Sequence, residues 1–190
     1  MLPAGHTLLL TLRLRGTLPA AAGRALRAAQ PSGGSGPEFR RAQKRFFAQF
    51  DAVLDQAPIG PRHFEQETIA EALAGELVML EETGFVVHAW AILPNHAHAL
   101  LHLPAASRLS VAKALDLLHR RTDAACRRLV RPKLPPEAEF WQPGWLEIPL
   151  ETAAELARAR AYVRANAGRA GLPARFAAWP YARPGPAPEE

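Results

Sequence analysis

The segment from Ile92 to Pro104 reads ILPNHAHALLHLP, an apolar stretch with histidines at alternating positions. In a β-strand, side chains at positions i and i+2 point to the same face. One predicted face carries the histidines, which are His96, His98 and His102. The other face carries small and apolar residues, which are Ala97, Ala99, Leu101 and Leu103. This pattern predicts a strand with its apolar face in the core and its histidine face in a site.

Hydrophobic periodicity places further elements on both sides of this strand. The predicted strands are residues 8–14, 85–92, the histidine strand and a short strand within 140–150. The predicted helices are residues 39–54, 64–82, 111–129 and 153–167. The resulting order, strand, insert, helix, strand, strand, helix, strand, helix, predicts an α+β fold. We expect a ferredoxin-like sandwich with an antiparallel sheet of four to five strands and helices packed on it.

The length of 190 residues favours one domain over two. We assign residues 1–181 to that domain, with an inserted loop and helix at about 17–63 and a flexible Pro-rich tail at 182–190. Within the insert, Gln30–Pro37 (QPSGGSGP) is predicted to be a flexible loop without a packing role. No apolar run is long enough to span a membrane, and the single cysteine, Cys126, suits a reducing compartment. The expected location is therefore cytoplasmic.

Positive charge lies mainly at the two ends of the chain. Residues 1–50 hold eight Lys and Arg against one acid, and residues 108–175 hold thirteen against seven. The middle segment, residues 51–83, holds one basic residue against eight acids. Such basic segments favour a polyanionic partner such as nucleic acid, although a GC-rich genome also produces chains rich in Arg and Ala.

The last predicted helix begins at a capping box, Thr152-Ala153-Ala154-Glu155. Tyr162 and Asn166 are four residues apart and share one side of this helix with Arg158 and Arg169. A tyrosine phenolate is a competent nucleophile toward phosphorus when a metal ion polarises the phosphate. The alternative is that Tyr162 packs at the edge of the core with its hydroxyl group in water.

The histidine spacing has two interpretations as well. Two imidazoles at positions i and i+2 of one strand can hold a divalent metal ion. The same spacing also occurs by chance or on a surface. His88 and His102 are left out of the predicted metal site, because the first lies on the neighbouring strand and the second about 7 Å further along.

The chain resembles a known family in several motifs. HAWAILPNHAHALL looks like the histidine–hydrophobic–histidine (HUH) signature of single-tyrosine HUH transposases, in particular the REP-associated tyrosine transposases (RAYT proteins). AYVRANAGRAGL resembles their catalytic-helix segment, and FWQ and WPYA match in order and spacing. The resemblance runs from about residue 5 to residue 181 and includes FDAVLDQAPIGPRHF.

This resemblance implies a set of roles. His96 and His98 would hold Mg²⁺ or Mn²⁺, and Asn166 would be the third ligand. Tyr162 would attack a phosphodiester of single-stranded DNA, leaving a 5′-phosphotyrosine and a free 3′-hydroxyl group. The implied function is metal-dependent nicking and strand transfer in DNA transposition, by a nucleoid-associated protein acting as a monomer or homodimer on single-stranded or hairpin DNA.

Seven further residues are predicted to contact the DNA through charge or stacking. These residues are Arg13, Arg120, Arg127, Trp141, Trp145, Arg158 and Arg169. Two other functions remain open at this point: a domesticated, non-catalytic DNA hairpin-binding protein that keeps the fold, and a metallo-hydrolase of a small substrate.

Overall fold

The computed structural model describes residues 5–34, 36–56, 60–107 and 110–183. Within this part of the chain the strands are β1 (His6–Arg13), β2 (Val86–Ile92), β3 (His96–Leu103), β4 (Leu146–Leu150) and β5 (Ala182–Arg183). They form one sheet in the order β4-β1-β3-β2-β5, and every neighbouring pair is antiparallel. The structure confirms the predicted α+β sandwich on an antiparallel sheet.

The described residues also form helices on both faces of this sheet. The helices are α1 (Ala20–Ala29), α2 (Gly36–Asp55), α3 (Glu67–Glu82), α4 (Val111–Leu129) and α5 (Ala153–Arg169). Short 3₁₀ helices cover His63–Glu65 and Ala174–Ala177. None of these helices is long and apolar enough to cross a lipid bilayer.

Helices α3 and α4 cover one face of the sheet and form the main hydrophobic core. The predicted stripe of α3 is buried there, as are the apolar side chains of β3, which are Ala97, Ala99, Leu101 and Leu103. On α4 the structure buries Cys126, as predicted, and burial raises the pKa of its thiol to about 12. Ala125 and Leu129 were expected inward, but Ala125 is half-buried and Leu129 is 37% exposed. Cys126 lies on the buried side of α4 instead.

Helix α5 covers the other face, together with part of α2. Leu9, Leu100 and Ile148 of the sheet pack there against Ala159 and Val163 of α5. Phe47 of α2 joins the same cluster. His96 and His98 are buried on this face, opposite the apolar face of β3. The alternation read from the sequence therefore describes the strand correctly.

The two long helices near the site begin at side-chain caps. Ser110 accepts a hydrogen bond from the Lys113 backbone N–H at the start of α4. Thr152 accepts one from the Glu155 N–H at the start of α5. The Glu155 carboxylate accepts from the Glu151 N–H, one residue before the position that a standard capping box uses. Gly171, with φ +64°, follows the end of α5 and allows the chain to turn there.

The inserted segment contains more regular structure than the sequence predicted. Helix α1 was not predicted, and α2 begins at Gly36, inside the segment expected to be a loop. The predicted α2 stripe included Phe50 and Val53, but these are half-buried, and Phe47 and Asp51 are buried beside Phe46 and Leu54. Of the predicted tail, Ala182–Arg183 form the edge strand β5, and residues 184–190 lie outside the described residues.

Candidate functional site

His96 and His98 lie side by side on β3, with ring centroids 4.9 Å apart. Neither side chain is accessible to solvent. Across the sheet, Arg13 pairs with His96 and Thr11 pairs with His98. The two imidazoles are thus held by a central strand that is paired on both edges, which makes their positions rigid.

The polar neighbours of His96 fix its protonation pattern. Its Nδ1 lies 2.7 Å from Asn95 Oδ1, and Asn95 Nδ2 donates to the Leu54 carbonyl. Since that carbonyl requires a donor, the amide oxygen of Asn95 must face His96, and His96 Nδ1 must carry the proton. Burial lowers the pKa of His96 well below its usual value, so the ring is neutral. Its Nε2 therefore presents a lone pair to the site.

His98 has an equivalent support on its other nitrogen. Its Nδ1 lies 2.9 Å from Thr11 Oγ1 on β1. A hydroxyl group can accept this hydrogen bond, leaving His98 Nε2 free to act as a ligand. Polar partners of this kind orient histidines that bind metals.

Helix α2 brings a carboxylate to the same place. Asp51 is 2% exposed, and its Oδ1 lies 2.9 Å from His98 Nε2 and 3.9 Å from His96 Nε2. Burial acts to raise the pKa of Asp51, but His98 and the Tyr162 hydroxyl group favour the ionised form, and the net pKa is lowered. Asp51 was missed in the sequence, where the only signal was an acid at the end of a basic segment.

The ligand atoms of Asp51, His96 and His98 all lie within 4.8 Å of one another. Asp51 Oδ1 and His96 Nε2 have no hydrogen-bond partner among the described residues. Two buried acceptors facing each other without a proton between them are unfavourable unless a cation lies between them. The donor set and this orphaned pair therefore fit a divalent metal ion.

A second carboxylate lies one helical turn further along α2. Asp55 Oδ1 is 3.9 Å from His96 Nε2 and also lacks a hydrogen-bond partner in the described part of the chain. Burial and the negative charge of Asp51 raise its pKa to about 6. The site thus concentrates negative charge in a place where water has little access.

Tyr162 approaches this cluster from α5. Its hydroxyl group lies 3.3 Å from His98 Nε2, and its ring packs edge-on against His98 and Phe47. Burial, followed by the charge of Asp51, raises the pKa of Tyr162 far above its usual value. Without a cation in the site, the phenol keeps its proton at neutral pH.

Asn166 lies one turn after Tyr162 and is fully buried. Neither polar atom of its amide has a hydrogen-bond partner among the described residues. A buried amide that forms no hydrogen bonds is costly. This observation is compatible with the ligand role predicted for Asn166, which remains a prediction.

The residues predicted to bind DNA are divided between the two faces of the sheet. Arg158 lines a cavity that also includes Tyr162, and the Arg169 guanidinium lies 5.0 Å from the Tyr162 ring centroid. Arg13 and Trp145 line a second cavity beside the histidine strand. These four residues lie on the same side as the histidine cluster.

The other three predicted residues lie on the α4 side. Arg120 is exposed on α4, and Arg127 donates to the carbonyls of Pro135 and Pro136. Trp141 is 5% exposed, and its indole N–H donates to Thr122 Oγ1. The Trp141 ring is stacked on His119 within the protein, so it is not open to an unpaired base in this structure.

The fold and the cluster together define a class: an α+β domain that holds two histidines and an aspartate beside a buried tyrosine. No family model matches the chain, and no match is found among curated proteins. A solved structure of a REP-associated tyrosine transposase bound to a REP hairpin is similar, with a TM-score of 0.53 and 16% identity. The match covers 94% of this chain and 76% of that chain. At this identity the similarity establishes the fold.

Proposed function

We propose that this chain is a metal-dependent, transposase-like enzyme that nicks single-stranded DNA and transfers the strand through a 5′-phosphotyrosine. The observation that carries the proposal is the position of the Tyr162 hydroxyl group, 3.3 Å from His98 Nε2 and beside the Asp51–His96 pair of unpartnered acceptors. This arrangement places one nucleophile next to one cation site, which is what phosphodiester transesterification requires.

His96, His98 and Asp51 would hold the ion, with the Asn166 amide oxygen as the further ligand predicted from the family resemblance. Two imidazoles with carboxylate and amide oxygens suit Mn²⁺ or Mg²⁺. When bound, such an ion polarises a phosphate oxygen and favours the phenolate form of Tyr162. Asn95 and Thr11 would orient the two imidazoles, because each contacts the Nδ1 atom that faces away from the site.

The proposed reaction is a direct exchange of two phosphate ester bonds. The Tyr162 oxygen attacks phosphorus and forms the new O–P bond, while the bond between phosphorus and the 3′-oxygen breaks. The proton lost by the Tyr162 hydroxyl group is balanced by the one that the departing 3′-oxygen takes up. Because the ester bond is conserved, reversal with another 3′-hydroxyl group joins strands without ATP.

The surroundings of Tyr162 fit a DNA strand. Arg158 and Arg169 lie on either side of it on α5, and Arg169 contacts its ring. Their positive charge would attract the phosphates next to the reacting bond. The hairpin bound by the similar solved structure supports DNA as the partner. Such an enzyme would act on cytoplasmic, nucleoid-associated DNA as a monomer or homodimer.

The two tyrosines of the chain, Tyr162 and Tyr181, offer a matched test. A labelled, randomised pool of single-stranded oligonucleotides is incubated with Mn²⁺ and each variant, and covalent protein–DNA adducts are resolved on a denaturing gel. Tyr162→Phe should abolish adduct and cleavage together while retaining DNA binding. Tyr181→Phe, which loses only a hydrogen bond to the Glu65 carbonyl, should still form the adduct.

The outcomes separate the competing functions. Cleavage by Tyr162→Phe at the parental rate would exclude Tyr162 as nucleophile. Binding of DNA hairpins without any adduct by the parent would favour the non-catalytic hairpin-binding protein. Metal-dependent hydrolysis of small phosphate esters without DNA binding would favour the metallo-hydrolase.

A further inference from the structure

A cavity of about 210 Å³ lies between the inserted helices and the segment that leads into β4. It is smaller than the roughly 300 Å³ at which pockets for drug-sized ligands begin, so it suits a single planar ring with an anionic group at its mouth. The side chains most relevant to a ligand are Arg13, Arg27, Gln30, Phe50, Gln142 and Trp145.

Two arginines give this cavity a positive charge. Arg13 is half-buried on β1, with its guanidinium 5.8 Å from the Phe50 ring centroid, and Arg27 extends from α1. In the described part of the chain neither guanidinium has a carboxylate within ion-pair distance. Burial, followed by the nearby Arg27 and Arg15, lowers the pKa of Arg13. The protein itself leaves this charge without a counter-ion.

The opposite wall of the cavity presents groups that recognise a ring. Trp145 is half-buried, and its indole N–H donates to Glu147 Oε2, which fixes the ring orientation. Trp145 also lines an adjoining cavity of about 250 Å³, so its ring lies between two open spaces. Gln142 and Gln30 offer amide donors and acceptors of the kind that pair with base edges.

The cavity adjoins the histidine cluster through β1. Thr11 lines the cavity, and its hydroxyl group is the one that contacts His98 Nδ1 at 2.9 Å. Arg13, two residues along the strand, pairs with His96 across the sheet. A strand whose phosphate lies at Tyr162 can therefore place a neighbouring nucleotide here.

We propose that this cavity binds one unpaired nucleotide of the single-stranded DNA substrate, with a phosphate on Arg13 and Arg27 and the base against Trp145. The inference rests on the proposed function and adds to it a subsite formed largely by the insert, α1 and the start of α2. The subsite selects for an unpaired base, because a base within a duplex has no free face to offer to Trp145.

The test measures binding without catalysis, by fluorescence anisotropy in chelator with the full chain. The probes are a short single-stranded oligothymidine and a chain of the same length with abasic sites, each competed with free thymidine monophosphate. Trp145→Leu should weaken binding of the oligothymidine about tenfold, within the range for loss of a base–aromatic stack, and leave the abasic chain unaffected. Arg27→Gln should weaken both probes and reduce the salt slope by about one.

Each variant has a matched control on the same protein. Arg24→Gln removes a charge from the same helix α1 outside the cavity, and Trp179→Leu removes an exposed tryptophan at the other edge of the sheet. Both controls should bind the oligothymidine as the parent does. Competition by free thymidine monophosphate as strong as that by the oligonucleotide would overturn the assignment to a DNA strand.

Failure of this inference is distinct from failure of the proposed function. Equal affinities for Trp145→Leu and Trp179→Leu, with adduct formation at Tyr162 intact, would overturn the nucleotide subsite alone. A parent protein without affinity for single-stranded DNA would overturn both.

Discussion

On the face of the sheet covered by α3 and α4, β3 contributes only small apolar side chains, from Ala97 to Leu103. On the face covered by α2 and α5, the same strand contributes His96, His98 and Leu100. Both sets are buried, but the first packs against hydrocarbon, and the second faces carboxylates and a phenol without complete hydrogen bonding. One strand thus stabilises the fold with one face and concentrates unpaired acceptors on the other.

The largest expected effect breaks the apolar face. Leu101 is fully buried, so Leu101→Ala should lower the free energy of unfolding by about 2–5 kcal/mol. Urea denaturation of parent and variant in chelator measures this loss. The increase in stability caused by Mn²⁺ should be unchanged, since the histidines lie on the other face. A variant that also loses its response to Mn²⁺ would show that the two faces are coupled.

The next effect removes the metal ligands. The double variant His96→Ala/His98→Ala should fold in chelator but lose Mn²⁺ binding, and with it the stabilisation of the parent. That stabilisation amounts to about 2.7 kcal/mol when the free ion is at 100 times its Kd. Calorimetry and thermal unfolding with and without Mn²⁺ measure both quantities. Unchanged metal affinity in the double variant would refute the site.

A pH-dependent effect isolates the second carboxylate of α2. The pKa of Asp55 is raised to about 6 in the folded chain, so the folded state binds its proton more tightly than the unfolded state. The resulting stability is present at low pH and is lost as the pH rises through 6. In chelator, Asp55→Asn should therefore be more stable than the parent by about 2 kcal/mol at pH 8, at about 1.4 kcal/mol per pKa unit.

This difference should disappear at about pH 4, where the carboxyl group is protonated in both states. Urea denaturation of both proteins at the two pH values cancels the contributions of His96 and the other titrating groups. A constant difference across the range would mean that Asp55 titrates normally.

The smallest effect compares arginines on the two faces. Arg158→Glu, beside Tyr162, should weaken single-stranded DNA binding and lower the salt slope by one to two contacts, about one per phosphate interaction. Arg120→Glu, on α4, should change the affinity less, although the sequence analysis predicted both residues to contact DNA. Binding isotherms over a range of salt concentrations measure the slopes. Equal slopes would move the DNA path onto the α4 face.

The sequence predicted much of this architecture because local patterns carry it. Alternation along β3 and the apolar stripe of α3 identify buried faces without reference to distant residues. Helix α1 escaped prediction because its segment is rich in Gly and Ala and has no acid in its first turn. Its place is set by packing against other parts of the chain, which no local pattern reports.

Asp51 was missed for a related reason. It is 45 residues before His96 in the sequence, and an acid on a helix normally faces water. Only the three-dimensional packing of α2 onto the sheet brings it to the imidazoles. The repeated acid at Asp55, four residues later on the same helix face, was the available signal for an inward acidic side.

Helix α2 covers the ligand cluster and is held down by two ion pairs, Arg40 with Glu151 and Lys44 with Glu155. Because the ligand atoms have almost no contact with solvent, an ion enters or leaves only when this helix lifts locally. The rate of ion exchange is then set by an opening equilibrium and not by the strength of the ligand bonds. Added salt, which screens exposed ion pairs, accelerates both loading and release without altering the ligands themselves.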